Sequence, residues 1–351
     1  MAERLRPARL AAVIGRIAVD GVDDRTVRAE VLDAIRRCVP FDAYAFLLTD
    51  PVTTVGCSPL ADVSGISRLA DLIRLKYLTS VNRWTGLPAS GCATLQQATE
   101  GRPERSLLWR EHLARLDILD VASVVFEDRF GCWGFLDLWR RRSRFTDDEV
   151  AALVGARPAT TTRLRDAHAA GFTVAGSAPP DRGPGVLVLS PALTVRAQTP
   201  QTQAWLATLV PPESGRAPVP ASAYNVAAQL LAVEAGVDAH APQARVHLGG
   251  GTWLTLRADR VAGSGPVEDR DIVVTMEASS PSERRDVFSR SHGLTPREDE
   301  LLRRLAEGVD TRAMARSMSI SEGTVQDHLK SVFAKASVSS RGELLAKATG
   351  R

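Results

Sequence analysis

Residues 294–344 read LTPREDELLRRLAEGVDTRAMARSMSISEGTVQDHLKSVFAKASVSSRGEL, and this stretch decides the fold of the C-terminal part of the chain. Polar residues that can cap a helix N-terminus recur along it: Thr295, Asp310, Ser321 and Ser340. Thr295 and Ser340 are each followed three residues later by a glutamate, which is the spacing of a capping box. The stretch therefore predicts four consecutive short helices, with Ser319 and Ile320 forming a tight turn between the second and the third.

The third predicted helix has one apolar face and one polar face. Its apolar residues recur at helical spacing and are Val325, Leu329, Val332, Phe333 and Ala336. At about 100° per residue, Asp327 and Lys330 point away from this stripe, and Gln326 lies on its flank. Such a face fits the major groove of DNA, because glutamine pairs with adenine, aspartate accepts from cytosine and lysine reaches guanine or phosphate. The pattern favours a helix-turn-helix unit, although a solvated surface helix taken alone would look the same.

The same stretch resembles the LuxR-type helix-turn-helix family. The residues on the family pattern are 294–298 (LTPRE), Ser321, Thr324, Val325, His328, Leu329, Ser340, Arg341, Glu343 and Leu344. The resemblance implies that Gln326, Asp327 and Lys330 face the bases and that Glu298 is structural. The residues expected to contact the DNA backbone are Ser321, Thr324, His328, Lys335 and Arg341. Such domains commonly dimerise through the fourth helix, so we expect a homodimer on paired half-sites about 10 bp apart.

Charge is distributed unevenly along the 351 residues. The formal net charge is only +3, but three of the four lysines fall in the last 22 residues. Residues 312–351 carry seven basic and three acidic side chains, so a polyanionic partner is expected at this end. The hydrophobic share of 44% and the charged share of 24% exclude disorder over most of the chain.

Several classes of protein find no support in the sequence. No apolar run approaches the roughly 18–20 residues of a membrane helix, and the apolar residues 10–14 are followed by Arg16, so a soluble cytoplasmic protein is expected. The motifs HExxH, GxSxG and GxxxxGK[ST] are absent, so no catalytic residue, metal or cofactor is expected. The glycine run 249–251 precedes a strand and predicts a β-turn. The cysteines are interpreted as small buried hydrophobes: Cys38, Cys57, Cys92 and Cys132.

Two polar stretches predict linkers, at residues 176–185 (GSAPPDRGPG) and 278–286 (ASSPSERRD). They divide the chain into three domains: 1–172, 185–278 and 287–351. In the first domain, the sequence predicts a helix at 24–38, a strand at 43–48, a hairpin of strands 121–127 and 132–138, and a closing helix from Thr146 to about His168. This order, with GCWGFLDLWR at 131–140 and FTDDEVAAL at 145–153, resembles a GAF domain, an α+β sensor fold.

The second block predicts strands at 185–189, 252–257 and 271–276 around a helix at 221–234. It resembles a degenerate PAS-type sensor, again of the α+β class. The predicted fold class is thus multidomain, with a GAF-like domain, a PAS-like domain and an all-α, four-helix C-terminal domain.

The functional hypothesis is a transcriptional regulator that reads operator DNA with its third C-terminal helix while the upstream blocks sense or relay a signal. The expected partners are double-stranded operator or promoter DNA and a second copy of the chain. RNA polymerase and an unidentified small-molecule effector are further candidates. Two alternatives stay open: a sensor-linked protein-interaction module that does not bind DNA, and a signalling enzyme with sensor domains. DNA binding through phosphate contacts weakens strongly as the salt concentration rises. The salt dependence of binding therefore distinguishes a transcriptional regulator from both alternatives.

Overall fold

The computed structural model describes residues 7–63, 68–173, 183–209, 220–263 and 265–350. The linker predicted at 176–185 lies mostly outside these residues, so its conformation stays a prediction. Among the helices of the described residues, none combines the length and the hydrophobicity that a bilayer span requires.

The first block is a five-stranded antiparallel sheet with helices on both faces. Its strands are β1 (Ala43–Thr49), β2 (Gly56–Asp62), β3 (Cys92–Thr94), β4 (Asp120–Asp128) and β5 (Gly131–Arg140). Its helices are α1 (Pro7–Ile14), α2 (Asp24–Cys38), α3 (Leu69–Leu78), α4 (Leu95–Ala98), α5 (Leu107–Glu111) and α6 (Asp147–Ala170). Short 3-10 turns lie at Trp84–Gly86, Pro103–Arg105 and Leu113–Leu116. The strands are ordered β2-β1-β5-β4-β3, and α1 and α2 pack against α6.

Local signals in the sequence account for most of these elements. The helix predicted at 24–38 is α2, and Asp23 caps it by accepting a hydrogen bond from the Thr26 N–H at 3.0 Å. The predicted capping box at α6 is confirmed in both halves, between Thr146 and Glu149. The predicted hairpin is also confirmed, because β4 pairs with β5 along its length.

The second block contains a further five-stranded antiparallel sheet. Its strands are β6 (Gly185–Leu189), β7 (Val195–Gln198), β8 (Gln243–His247), β9 (Trp253–Arg260) and β10 (Ile272–Ala278). Its helices are α7 (Pro200–Leu209) and α8 (Ala221–Glu234), and a 3-10 turn lies at Val267–Asp269. The strands of this sheet are ordered β7-β6-β10-β9-β8. Numbered from the first strand of the block, this order is 2-1-5-4-3, which is also the order of the first sheet. The sequence did not predict β7 or β8. β7 is exposed throughout and has no apolar alternation, whereas β8 is a short strand whose central residues are buried.

The glycine run is a β-turn, as predicted. It joins the antiparallel strands β8 and β9, and the Thr252 N–H donates to the Gly249 carbonyl at 3.0 Å. Gly249, Gly250 and Gly251 all have positive φ values between 56° and 89°, a region that residues with a Cβ rarely adopt.

The linker predicted at residues 278–286 is wrong. β10 continues to Ala278, and helix α9 (Pro281–Ser291) begins three residues later. Ser280 and Glu283 form a complete capping box, and Pro281 occupies the first turn, where its missing N–H costs nothing. The polar composition of this stretch concealed a helix whose Val287 and Phe288 are fully buried.

The three blocks share buried contacts. Asp50, which follows β1, forms an ion pair with Arg245 of β8, and Phe172, which follows α6, stacks on Trp253 of β9 with ring centroids 4.5 Å apart. Arg284 of α9 donates to the Thr173 carbonyl at 3.3 Å and to the Gly251 carbonyl. The C-terminal helices therefore contact both upstream blocks.

Candidate nucleic-acid interface

Four helices follow α9: α10 (Pro296–Ala306), α11 (Thr311–Met318), α12 (Glu322–Ala336) and α13 (Arg341–Thr349). Each predicted N-cap side chain accepts the backbone hydrogen bond expected of it: Thr295, Asp310, Ser321 and Ser340. The capping box at α10 is complete, whereas Glu343 accepts from the Ser339 N–H at 2.8 Å. The predicted reciprocal bond between Glu343 and Ser340 is therefore wrong, because the carboxylate reaches one residue further back.

The turn between α11 and α12 is set by a left-handed residue. Ser319 has φ 55° and ends α11, and the Ile320 N–H donates to the Ala315 carbonyl at 3.0 Å. Ser321 then opens α12 after only two intervening residues. This tight connection fixes the direction of α12 relative to α11 and makes the pair a helix-turn-helix unit.

One face of α12 is buried in a small core. Val325, Leu329, Val332 and Ala336 are at most 3% exposed, and Phe333 is half-buried at the edge of the stripe. The residues that pack against this face from the other helices include Leu301, Leu302, Leu305, Met314, Ala315 and Met318. The periodicity seen in the sequence is thus the packing pattern of the helix, and it determines which residues face outward.

The predicted base-facing residues are together on the outer face of α12. Gln326, Asp327 and Lys330 are all exposed. The Lys330 ammonium lies 3.4 Å from an Asp327 carboxylate oxygen, with both side chains more than three-quarters exposed. Such a surface ion pair contributes little, on the order of 0–1 kcal/mol, so Lys330 can exchange this carboxylate for a phosphate or a guanine edge.

The N-terminus of α12 presents backbone N–H groups and two exposed hydroxyls. The Ser321 hydroxyl accepts from the Thr324 N–H at 3.1 Å and lies 2.9 Å from the Thr324 hydroxyl. A helix N-terminus carries partial positive charge and suits a phosphate oxygen. These two residues thus occupy the position from which a helix lying in a groove would reach the backbone.

Two of the other predicted backbone contacts, Lys335 and Arg341, have partners within the chain. His328 is half-buried, and Arg341 donates to the Thr311 hydroxyl at 2.8 Å. Lys335 forms an ion pair with Glu298 of α10 at 2.6 Å and also donates to the Gly293 carbonyl at 3.2 Å. A phosphate contact from Lys335 would compete with this ion pair, so its predicted role is the least supported by the geometry.

Glu298 ties α10 to α12. Its side chain is buried, and its oxygens accept from the Thr295 N–H, the Ser331 hydroxyl and the Lys335 ammonium. Burial acts to raise the pKa of Glu298, but these hydrogen bonds outweigh it and lower the pKa to about 2. The sequence-based interpretation of Glu298 as structural agrees with this geometry.

Sequence reasoning missed the part that α9 plays in supporting these helices. Arg284 is buried and donates to the Lys347 carbonyl of α13 at 3.0 and 3.1 Å, and Val287 and Phe288 join the same core as α12. The capping pattern at Ser280 and Glu283 was the signal that could have found this helix.

The C-terminal fold and the composition of α12 agree with one family of bacterial regulators. Residues 292–348 match the family described as bacterial regulatory proteins, luxR family. The C-terminal region of this chain is therefore a LuxR-type helix-turn-helix domain.

Two curated relatives share this region. The transcriptional regulatory protein DesR of Bacillus subtilis (strain 168) is 32% identical over 68 residues, which are 19% of this chain and 34% of DesR. The nitrate/nitrite response regulator protein NarL of Escherichia coli (strain K12) is 33% identical over 72 residues, which are 20% of this chain and 32% of NarL. This chain spans about a third of the length of the curated relatives that it matches.

The four cysteines lie in or against the hydrophobic core. Cys57, Cys92 and Cys132 are buried and Cys38 is half-buried, as the interpretation of small hydrophobes predicts. Burial raises the pKa of the Cys92 thiol to about 11 and that of Cys132 to about 12, which disfavours the reactive thiolate. Within the described ranges, no group of three or more His, Cys, Asp or Glu side chains could hold a metal ion.

Proposed function

We propose that this chain is a transcriptional regulator whose helix α12 binds in the major groove of operator DNA. The observation that carries the proposal is the exposed face of Gln326, Asp327 and Lys330 on the third helix of a LuxR-type domain. DesR and NarL are regulators by name, and they share this region with the chain. In the proposed complex, Gln326 and Asp327 select bases, Lys330 reaches guanine or phosphate, and backbone contacts come from Ser321, Thr324, His328, Lys335 and Arg341.

The proposed regulator acts as a homodimer. One domain of this size offers few contacts to DNA, and two-fold pairing doubles them on half-sites about 10 bp apart. In α13, Leu344 and Ala348 belong to the domain core, whereas Gly342 is exposed and Leu345 is half-buried. These outer positions of α13 are the surface proposed for pairing.

The upstream blocks are proposed as sensor modules, GAF-like at 1–172 and PAS-like at 185–278. Their two antiparallel sheets repeat one strand order, which supports two related α+β modules rather than one irregular domain. Because α9 packs with α13, the proposed DNA-binding unit is extended to begin at Ser280 instead of residue 287. A signal received upstream would reach α12 through α9.

A gel-shift titration of the full chain on its own promoter tests the DNA-binding proposal. Contacts to about 6–10 phosphates per dimer predict that affinity falls by about 10³–10⁵-fold between 50 and 200 mM salt. Lys330→Ala should weaken binding to any sequence, and Gln326→Ala should relax preference at one base pair by about 1–3 kcal/mol. The matched control is Arg102→Ala, which removes one positive charge from an exposed site in the first block.

The proposal fails if the full chain binds no duplex at 50 mM salt. The assignment of the base-facing residues fails if Lys330→Ala and Gln326→Ala both bind as the wild type does. Absence of duplex binding would leave the two alternatives, a module that contacts proteins only and a signalling enzyme with sensor domains.

A further inference from the structure

One face of the first sheet carries a row of small side chains. Ala61 pairs with Ala45 across β2 and β1, and Ala45 pairs with Asp137 across β1 and β5. Because side chains alternate between faces along a strand, Trp139 lies on the same face as Asp137. The two neighbouring alanines leave room above the sheet, and a cavity of about 200 Å³ lies there.

The walls of this cavity come from two blocks of the chain. Leu72 and Ile73 of α3 line it from the first block, and Ala221 and Asn225 of α8 line it from the second. α8 packs against both α3 and β2. Whatever occupies the cavity therefore touches both upstream blocks at once.

Two residues that line this cavity each carry a buried polar atom that lacks a hydrogen-bond partner among the described residues. These atoms are the indole Nε1 of Trp139, which is 3% exposed, and the amide Oδ1 of Asn225, which is 1% exposed. The Asn225 Nδ2 donates to the Ala221 carbonyl at 3.0 Å, which orients the amide and leaves its oxygen unpaired. A buried polar group without a partner is costly, so an unmatched donor and an unmatched acceptor lining one cavity indicate a ligand that satisfies both.

The buried charged residue that lines the cavity, Asp137, is already neutralised, whereas Arg25, the other charged lining residue, is exposed. Asp137 accepts from the Trp84 indole N–H at 2.9 Å and forms an ion pair with Lys76 at 2.9 Å. Lys76 also donates to the Asn82 carbonyl at 2.8 Å and to the Ser123 hydroxyl at 3.1 Å, so its three protons are used. A charged group placed beside the buried Trp139 and Asn225 would find no free buried counter-charge, because Lys76 and Asp137 neutralise each other, and this favours a neutral ligand.

We propose that this cavity binds a compact, neutral ring compound that accepts a hydrogen bond from Trp139 and donates one to Asn225. A dry cavity of about 150 Å³ in another protein holds benzene, so about 200 Å³ suits one ring with a single amide or hydroxyl substituent. The inference rests on the proposed function, because it names the class of molecule that the upstream blocks sense. The bound compound bridges the first sheet and α8.

The test measures binding of small probes to the full chain by isothermal titration calorimetry and by the shift in melting temperature. The probes are benzamide, δ-valerolactam and phenol, with toluene as the apolar comparison. Asn225→Leu should lower the affinity for benzamide by about tenfold, because one hydrogen bond is lost. The affinity for toluene, which makes no such bond, should change by less than about twofold. Ala45→Leu fills the cavity and should lower the affinity for every probe by more than about tenfold.

The matched control is Ala151→Leu, which adds the same volume at an exposed site on α6 and should leave probe binding unchanged. Ala45→Leu keeps the test valid if Asn225→Leu fails to fold. The proposal is overturned if none of the three polar probes binds the wild-type chain, or if Ala45→Leu binds them as the wild type does. The readout needs no DNA, so failure here and failure of the gel shift are distinguishable.

Discussion

Replacing Asp50 with alanine should weaken the packing of the two upstream sheets against each other. Asp50 is fully buried after β1, and its carboxylate accepts from the Arg245 Nε at 2.6 Å, Nη2 at 2.8 Å and backbone N–H at 2.8 Å. The Val52 N–H donates to the same carboxylate at 2.8 Å. Asp50→Ala leaves the Arg245 guanidinium, whose side chain is 4% exposed, without its hydrogen-bonded carboxylate.

Removing one partner of a buried ion pair costs about 3–5 kcal/mol. In unfolding units of about 150–250 residues, each kcal/mol lowers the melting temperature by about 2–4 °C, so a drop of about 6–20 °C is expected. The double variant Asp50→Leu with Arg245→Leu should recover much of the loss, because apolar replacement removes the stranded charge.

The exposed pair of Arg303 and Glu307 supplies the control. Both side chains are more than 40% exposed, so Glu307→Ala should cost under about 0.5 kcal/mol. If Asp50→Ala melts within about 2 °C of the wild type, the view that this ion pair joins the two blocks is refuted.

Three further predictions concern stability and pH. Ser319→Gly should raise stability by about 0.5–1 kcal/mol, measured by urea denaturation, since glycine relieves the left-handed strain at φ 55°; an unchanged or lower midpoint contradicts this. Glu298→Gln should lower the free energy of unfolding by about 1–3 kcal/mol at pH 7, measured by the same urea denaturation. The pKa of Glu298 in the folded state, about 2, lies below its unfolded value, so the stability that its carboxylate contributes is lost as pH falls from about 4.5 towards 2. An equal difference in free energy of unfolding between Glu298→Gln and the wild type at pH 7 and pH 3 refutes this. Burial lowers the pKa values of His168, His247 and His292 to about 4 each, so stability should fall from about pH 6.5 to pH 4 as the unfolded chain takes up protons. His292→Phe should make this fall shallower, and an unaltered pH profile of the melting temperature counts against it.

The sequence by itself determined the C-terminal helices and the direction of their faces. Capping residues and apolar periodicity act within a few residues, so Thr295, Asp310 and Ser321 could be assigned to helix starts before any packing was known. The exposed position of Gln326, Asp327 and Lys330 on α12 follows from the same local geometry. That these residues read bases stays a prediction.

The tertiary structure alone decided what joins the blocks. The ion pair of Asp50 with Arg245 spans 195 positions, and no local pattern encodes a partner at that distance. The capping residues of α9 are visible in the sequence, but the burial of Val287 and Phe288 depends on their contacts with the other C-terminal helices. The cavity above Ala45 and Ala61 likewise depends on α8, which lies over 150 residues later in the chain and closes it only when the two blocks pack together. Local chemistry specifies helices and turns, whereas shared cores and closed cavities depend on contacts that form only in the folded chain.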